Sequence, residues 1–370
     1  MCHLSTVHKG LDVRIFVKEC ASAANAGYNT HLVISASPEE VVKAAQKRVT
    51  LHQIPPTAKR FSRFFYKTWY CYQIARKIDA DIYQFHDLEL VFYGILLAIQ
   101  GKKVIYDVHE DVPQHVLTKA WIPNWLRIVV SYLTSITEYI AAKWFVSVVT
   151  ATPYIQQRFA KFNSRAIDIN NYPILEEFDL SNDWATKKTE ICYVGGISEH
   201  RGIKEMLAAL SLTQSNVLMN LAGPFETPKL EQDTKELEQW NKVNYFGVVD
   251  RYGVKEIIQR SVVGLVVLHA ISNYIDARPV KMFEYMAAGI PVIASNFPLW
   301  KAIVEGSQCG ICVDPTKPTE IAAAIDHLIA NPNEAQVMGI NGREAVRSRY
   351  NWVIEERKLL DLYNELSNDS

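Results

Sequence analysis

The chain has 370 residues, 49% of them hydrophobic and 21% charged, and Lys+Arg 39 against Asp+Glu 40 gives a formal net charge of −1. That length exceeds one ordinary core and calls for two domains. The balanced charge excludes the broad positive field of a nucleic-acid binder, so no nucleic acid is expected as a partner.

Short β-branched runs alternate with helical periods along the whole chain. In the first half the pattern predicts strands over 2–5, 30–35, 81–85, 103–106 and 145–149, with helices near 12–26, 63–78, 88–100 and 124–142. "NAGYN" stops the first helix, with Gly27 just past its end. The stretch 170–189 breaks the rhythm with a proline and many polar residues and reads as a linker. Strands then resume over 190–194, 217–222, 243–246, 262–268, 291–294 and 310–313, with helices near 203–210, 227–239, 251–260, 279–288 and 318–330. A last amphipathic stretch covers about 351–367. The pattern predicts an α/β chain of two doubly wound, Rossmann-like domains facing across a cleft, 1–172 and 173–350, followed by a closing helical segment, about 351–370.

The six cysteines lie mostly in apolar runs, and the one C-x-x-C, Cys309 with Cys312, has no second Cys/His pair spaced for zinc. Reduced thiols in a cytosolic protein are the expectation. "MCHLSTVHKG" holds no apolar leader core, and no apolar run reaches the ~18 residues of a spanning helix.

Ligands of open parallel sheets bind beyond the C-terminal strand ends, where helix N-termini favour anions. Two loops of the second half stand out. In "NYIDARPVKMFEYMAAGIPVIAS", Asp276 precedes a helix whose first turns carry Lys281 and Glu284 on one face. Lys281 suits a phosphate and Glu284 the paired hydroxyls of a ribose, which together fit a nucleotide diphosphate. An alternative is a capping Asp276 with Lys281 and Glu284 as a surface ion pair. In "ICYVGGISEHRGIKEML", Gly195 and Gly196 follow a strand and Arg201 opens a helix, so the backbone can approach a ligand while Arg201 pairs with phosphate oxygens. Neither a dinucleotide fingerprint nor a P-loop is present.

These landmarks, with "LAGP", "VNYFGVV", the D-x7-E of Asp276 and Glu284, and "RYNW" before the final helix, resemble the retaining glycosyltransferases of family 4, which have the GT-B fold. The resemblance extends over nearly the whole chain. It implies that Glu284 holds the nucleotide ribose, that Asp276, in place of the family's first Glu, contacts the donor sugar, and that Arg201 and Lys281 neutralise the leaving diphosphate. The backbone at Gly247 and Val248 would meet the base. Gly196 stands where the family commonly has a second basic residue. The family's last helix crosses back to the first domain.

The first half would supply the acceptor side. Loops after its strands carry His8 with Asp12, His86 with Asp87, and His109 with Glu110. Each histidine alternatively serves as a cap or a satisfied polar contact, and the resemblance favours His109 as the one facing the reacting sugar. The other histidines read as structural or solvent-exposed. Aromatics interleaved with Lys and Arg over 58–77, and Trp with basic neighbours over 119–133, read either as core or as a surface for anionic lipid. The expected partners are a UDP- or GDP-sugar donor and a glycan or lipid-linked acceptor of surface glycan synthesis, with peripheral contact at the inner face of the plasma membrane. No D-x-D pair appears in the donor half, so no metal and no cofactor is expected. A nucleotide-sugar epimerase of the same fold and a non-catalytic binding scaffold are the competing readings.

Overall fold

The computed structural model describes residues 1–55, 63–117, 122–178, 184 and 187–368. The chain divides into two compact units, Met1–Asn171 joined by the segment from Val353 onward, and Tyr172–Trp352.

In the first unit, strands β1 (Cys2–Lys9), β2 (Thr30–Ser35), β3 (Val49–Gln53), β4 (Ile82–Phe85), β5 (Lys103–Val108), β6 (Ser147–Thr150) and β7 (Ala166–Asp168) form one sheet in the order β3-β2-β1-β4-β5-β6-β7. Each neighbouring pair is parallel. The helices are α1 (Ala21–Asn25), α2 (Pro38–Gln46), α3 (Thr68–Ile78), α4 (Val91–Ile99), α5 (Val112–Leu117), α6 (Asn124–Trp144) and α7 (Pro153–Phe159). Helices on both faces explain why strands such as "THLVIS" read as continuous apolar runs; Leu32, Val33 and Ile34 are fully buried.

The second unit repeats the plan with β8 (Glu190–Val194), β9 (Leu218–Ala222), β10 (Val243–Tyr245), β11 (Val263–Val266), β12 (Val292–Ser295) and β13 (Gly310–Val313), ordered β10-β9-β8-β11-β12-β13 and also parallel. Its helices are α8 (Ile203–Leu212), α9 (Pro228–Lys235), α10 (Arg251–Arg260), α11 (Ser272–Ile275), α12 (Val280–Ala287), α13 (Pro298–Val304), α14 (Pro318–Ala330) and α15 (Pro332–Arg349).

The closing helix α16 (Trp352–Asn368) ties to the first unit. Tyr363 donates its hydroxyl proton to Gln84 Oε1 at 2.6 Å, Lys103 Nζ donates to the Leu366 carbonyl at 2.6 Å, and Glu355 accepts from the Asn170 amide at 2.9 Å.

Several elements differ from the sequence pattern. The first strand runs on to Lys9 because the Asp87 carboxylate accepts from the Thr6 and Val7 amides and holds that polar tail extended. The helix expected over 12–26 is a wide π-helical segment, Val13–Cys20, followed by α1; Asp12 caps it by accepting from the Arg14 and Ile15 amides. Strands β3 and β7 and helices α2, α5, α7, α13 and α15 were not anticipated. The helix expected over 227–239 is α9 plus a 3₁₀ turn at Glu238–Lys242. Of the expected linker, 179–183 and 185–186 lie outside the described residues, as do 58–62 and 119–121 of the two aromatic stretches.

Both sheets reverse strand order once, between β1 and β4 and between β8 and β11. Those two switch points are where such sheets open a crevice for ligands.

Candidate active site

At the switch point of the second unit, β8 ends with the Val194 amide donating to the Tyr285 hydroxyl at 3.0 Å. The chain then passes through Gly195 at φ +132° and Gly196 to a short turn, Glu199–Arg201. Gly202 follows at φ +79°, and a Cβ there would lie 2.2 Å from the Val267 carbonyl oxygen. Only glycine lets α8 start this close to the end of β11. Arg201 folds back over the loop, its Nη1 donating to the Gly196 carbonyl at 3.2 Å and its Nε to the Tyr274 hydroxyl at 3.4 Å.

Lys281 reaches the same loop from α12. A Cβ on Gly195 would lie 2.7 Å from Lys281 Nζ, and one on Gly196 would lie 2.9 Å from Arg201 Nη1, so a side chain at either glycine would meet one of the two basic groups. Lys281 Nζ is buried, has no hydrogen-bond partner, and lies 3.7 Å from the centre of the Tyr193 ring. Burial first, and then the charge of Arg201, hold it well below the usual lysine range. A buried, unpaired ammonium costs stability, which is why such groups concentrate at functional sites.

One turn along α12, buried Glu284 accepts from Arg251 Nη1 at 2.7 Å, and Arg251 also pairs with Glu177. Glu284 therefore pairs with Arg251, and the Lys281 Nζ is buried without a partner; the two do not form a surface pair. Asp276 closes the short α11, and the residue at the start of α12 is Pro279, with no side-chain cap. The capping alternative therefore fails. The Trp300 indole donates to the Ala277 carbonyl at 2.7 Å and fixes the loop beside Asp276. Gly247, at φ +66°, accepts from the Gly223 amide at 2.7 Å with open space above its Cα, and Val248 beside it is exposed.

At the switch point of the first unit the three histidine loops converge. Asp107, at the end of β5, accepts from His86 Nδ1 at 2.9 Å and His109 Nε2 at 2.9 Å, and Arg14 grips both its oxygens at 3.1 and 2.7 Å. Burial opposes its charge, but Arg14 and His109 outweigh burial and hold its carboxyl well below the usual range. Because a carboxylate only accepts, the contact with Asp107 places a proton on His109 Nε2. His86 is enclosed, with His3 Nδ1 on its other nitrogen at 3.1 Å, and burial lowers its pKa. His109 keeps partial exposure.

His8 packs edge-on to His109, bonds Asp12 at 3.1 Å and lies 3.7 Å from Asp87; these acids outweigh burial and raise its pKa. Glu110 points elsewhere, to an exposed pair with His115. Among the described residues, His3–Glu19–His86 and His86–Asp107–His109 bring metal-ligating atom types within 4.8 Å of one another. Arg14 also lies 3.1 Å from Glu19, so a fixed cation already occupies this cluster.

Arg251, Asp107, Arg14 and Tyr193 were missed in the sequence. Asp107 left a signal, an acid inside the buried run "VIYDVHED" two residues before His109. Arg251 left none beyond its place at a helix start.

Comparisons with known proteins agree with this architecture. Residues 176–345 match the family model described as Glycosyl transferases group 1, and residues 14–170 match Glycosyltransferase Family 4. Alpha-maltose-1-phosphate synthase of Mycolicibacterium smegmatis is 23% identical over 48% of this chain and 48% of its own length, so the chain spans about half the length of the first curated relatives it matches. D-rhamnosyltransferase WbpZ of Pseudomonas aeruginosa is 24% identical over 94% of this chain and 90% of its own. Among solved structures, Anabaena HepE in complex with UDP-glucose superposes with a TM-score of 0.75 at 14% identity, covering 98% of this chain and 99% of that one. Two parallel Rossmann-like sheets matched in turn by both models place the chain in the family 4 glycosyltransferases, with the GT-B fold.

Proposed function

We propose that the chain transfers a sugar from a nucleoside diphosphate donor to a glycan or lipid-linked acceptor, with retention at the anomeric carbon. The observation that carries this reading is the Lys281 amine, buried without a hydrogen-bond partner beside Arg201 and two bare glycines. An anionic ligand with several oxygens is what that arrangement lacks, and a diphosphate supplies it. The UDP-glucose bound by Anabaena HepE, a protein of the same fold, makes a nucleotide sugar the candidate donor.

In this reading the second unit binds the donor and the first the acceptor. Glu284, braced by Arg251, takes the ribose hydroxyls, and the Gly247–Val248 backbone meets the base. Asp276 contacts the donor sugar. As the glycosidic bond breaks, charge builds on the diphosphate, and Arg201 and Lys281 stabilise it; preorganised cations in a dry site act most strongly on such developing charge. These cations take the place of a metal, and no covalent nucleophile is required of the protein. His109 faces the reacting sugar, with His8 and Asp12 beside it, while the enclosed His86 acts as a positioning residue through Asp107. Glu110 is the weakest member of the set because His115 engages it.

The test supplies UDP- and GDP-hexoses with and without glycan and lipid-linked acceptors, following nucleoside diphosphate release and the anomeric configuration of the product by NMR. Release that depends on acceptor, with configuration kept, is expected. Conversion of the donor to its epimer, or binding of a donor that no acceptor discharges, overturns the proposal in favour of an epimerase or a scaffold.

A further inference from the structure

Helix α6 is built inside out. Its 21 residues extend about 31 Å at 1.5 Å per residue. The buried residues are small or polar: Thr134, Glu138, Ala141 and Ala142. Glu138 is held there by Arg158 of α7 at 2.7 Å, and burial raises its carboxyl to about 7. The opposite side carries the large apolar groups. Trp125, Ile128 and Tyr132 are 71%, 68% and 68% exposed, and Leu133, Ile140 and Trp144 are exposed with them. A helix of a soluble domain turns that stripe to the core, so a contiguous outward stripe of this size marks a contact surface. The neighbouring α4 also exposes an aromatic, Phe92, and α3, packed on α4, exposes Trp69.

Charge selects the occupant. Of the three helices, only α6 holds an acid, and that acid is the buried Glu138; the remaining charges are Arg76, Lys77, Arg127 and Lys143. Aromatic and aliphatic groups among basic charges, with Trp near both ends, match the boundary of an anionic bilayer. A second copy of the chain would cover the same apolar area, but a two-fold contact would set like charges against each other. We propose that the outward face of α6 docks in the plane of an anionic lipid surface. It does not span: no helix among the described residues is long and apolar enough to cross a membrane, and Glu138–Arg158 ties the inner side of α6 to α7. Presenting a lipid-linked acceptor at this surface rests on the transfer reaction proposed above, whereas docking itself does not.

The test is sedimentation of the full chain with phosphatidylcholine vesicles, with and without phosphatidylglycerol, beside titration of UDP and GDP in solution. Wild type is expected to sediment with the anionic vesicles and to dissociate with salt. The double variant Ile128→Ser/Tyr132→Ser and the single variant Lys143→Glu should each bind those vesicles about tenfold more weakly. Both keep their melting temperature, because the altered side chains are exposed, and both keep the wild-type nucleotide affinity. Absence of wild-type binding to anionic vesicles overturns the proposal, as does a wild-type dimer that Ile128→Ser/Tyr132→Ser splits. Loss of nucleotide binding with docking intact counts against the donor reading alone.

Discussion

Lys281 is a half-buried helix residue whose buried Nζ has the chemistry of a ligand-binding group. Sequence spacing placed it on one face with Glu284, and that much was legible from the 3.6-residue period. What the spacing could not show is which way the face turns, because Arg251, 33 residues earlier in the chain, takes the Glu284 carboxylate and leaves Lys281 without a hydrogen-bond partner. A pH effect follows. Burial and Arg201 lower the Lys281 pKa in the empty site, while a diphosphate beside it favours the ammonium and raises it. Binding therefore takes up a proton, and nucleotide affinity falls as pH rises through the range between the two pKa values. Calorimetry in buffers of different ionisation enthalpy should show net proton uptake by wild type; release would contradict the placement of this lysine at the diphosphate. The first unit teaches the same lesson. His86 and His109 were visible as strand-end histidines, and Asp107 stood out as an acid in an apolar run, but its union of the two rings shows only once β4 and β5 pair side by side.

At the scale of elements, most strands and their following helices were legible, the edge strands β10 and β13 of the second sheet included, whereas the edge strands β3 and β7 of the first sheet were not. β3, "VTLHQ", alternates apolar with polar residues and lacks the continuous apolar run of the central strands, β7 has only three residues, and α2 is marked by a capping box between Ser37 and Glu40 that sits among polar residues. The π-helical Val13–Cys20 follows ordinary helical periodicity in its sequence, so its wider winding is set by tertiary contacts, among them Arg14 reaching Asp107. Gly202 shows how an element is aimed. Its φ of +79° and the Val267 carbonyl leave no room for a side chain. Gly202→Ala should cost about 2 kcal/mol of stability and move Arg201, seen as a lower melting temperature together with weaker nucleotide binding. An unchanged melting temperature would show that the turn relaxes freely.

For the molecule as a whole, the repeated order of strands is the legible feature, since two βα series separated by a polar break predict two doubly wound sheets. The return of the last helix to the first unit came from family resemblance and not from its amphipathic pattern, which names a buried face but not its partner. Leu359, Leu362, Tyr363 and Leu366 are buried along α16, at about 2 kcal/mol for each leucine. Ending the chain after Trp352 should therefore open the first unit to proteolysis and hydrogen exchange while protection of β8 to β13 persists. Equal loss of protection in both units would show that they do not fold as separate bodies.

The donor assignment depends most on Lys281, and replacing it with a neutral side chain of similar length tests it directly. Calorimetric titration of UDP and GDP into wild type and Lys281→Met should show one nucleotide binding wild type and a loss of at least tenfold, about 1.4 kcal/mol, in the variant, whose melting temperature stays level or rises because the buried Nζ it loses has no hydrogen-bond partner. Equal binding by a folded Lys281→Met, or binding of neither nucleotide by folded wild type, would contradict the account.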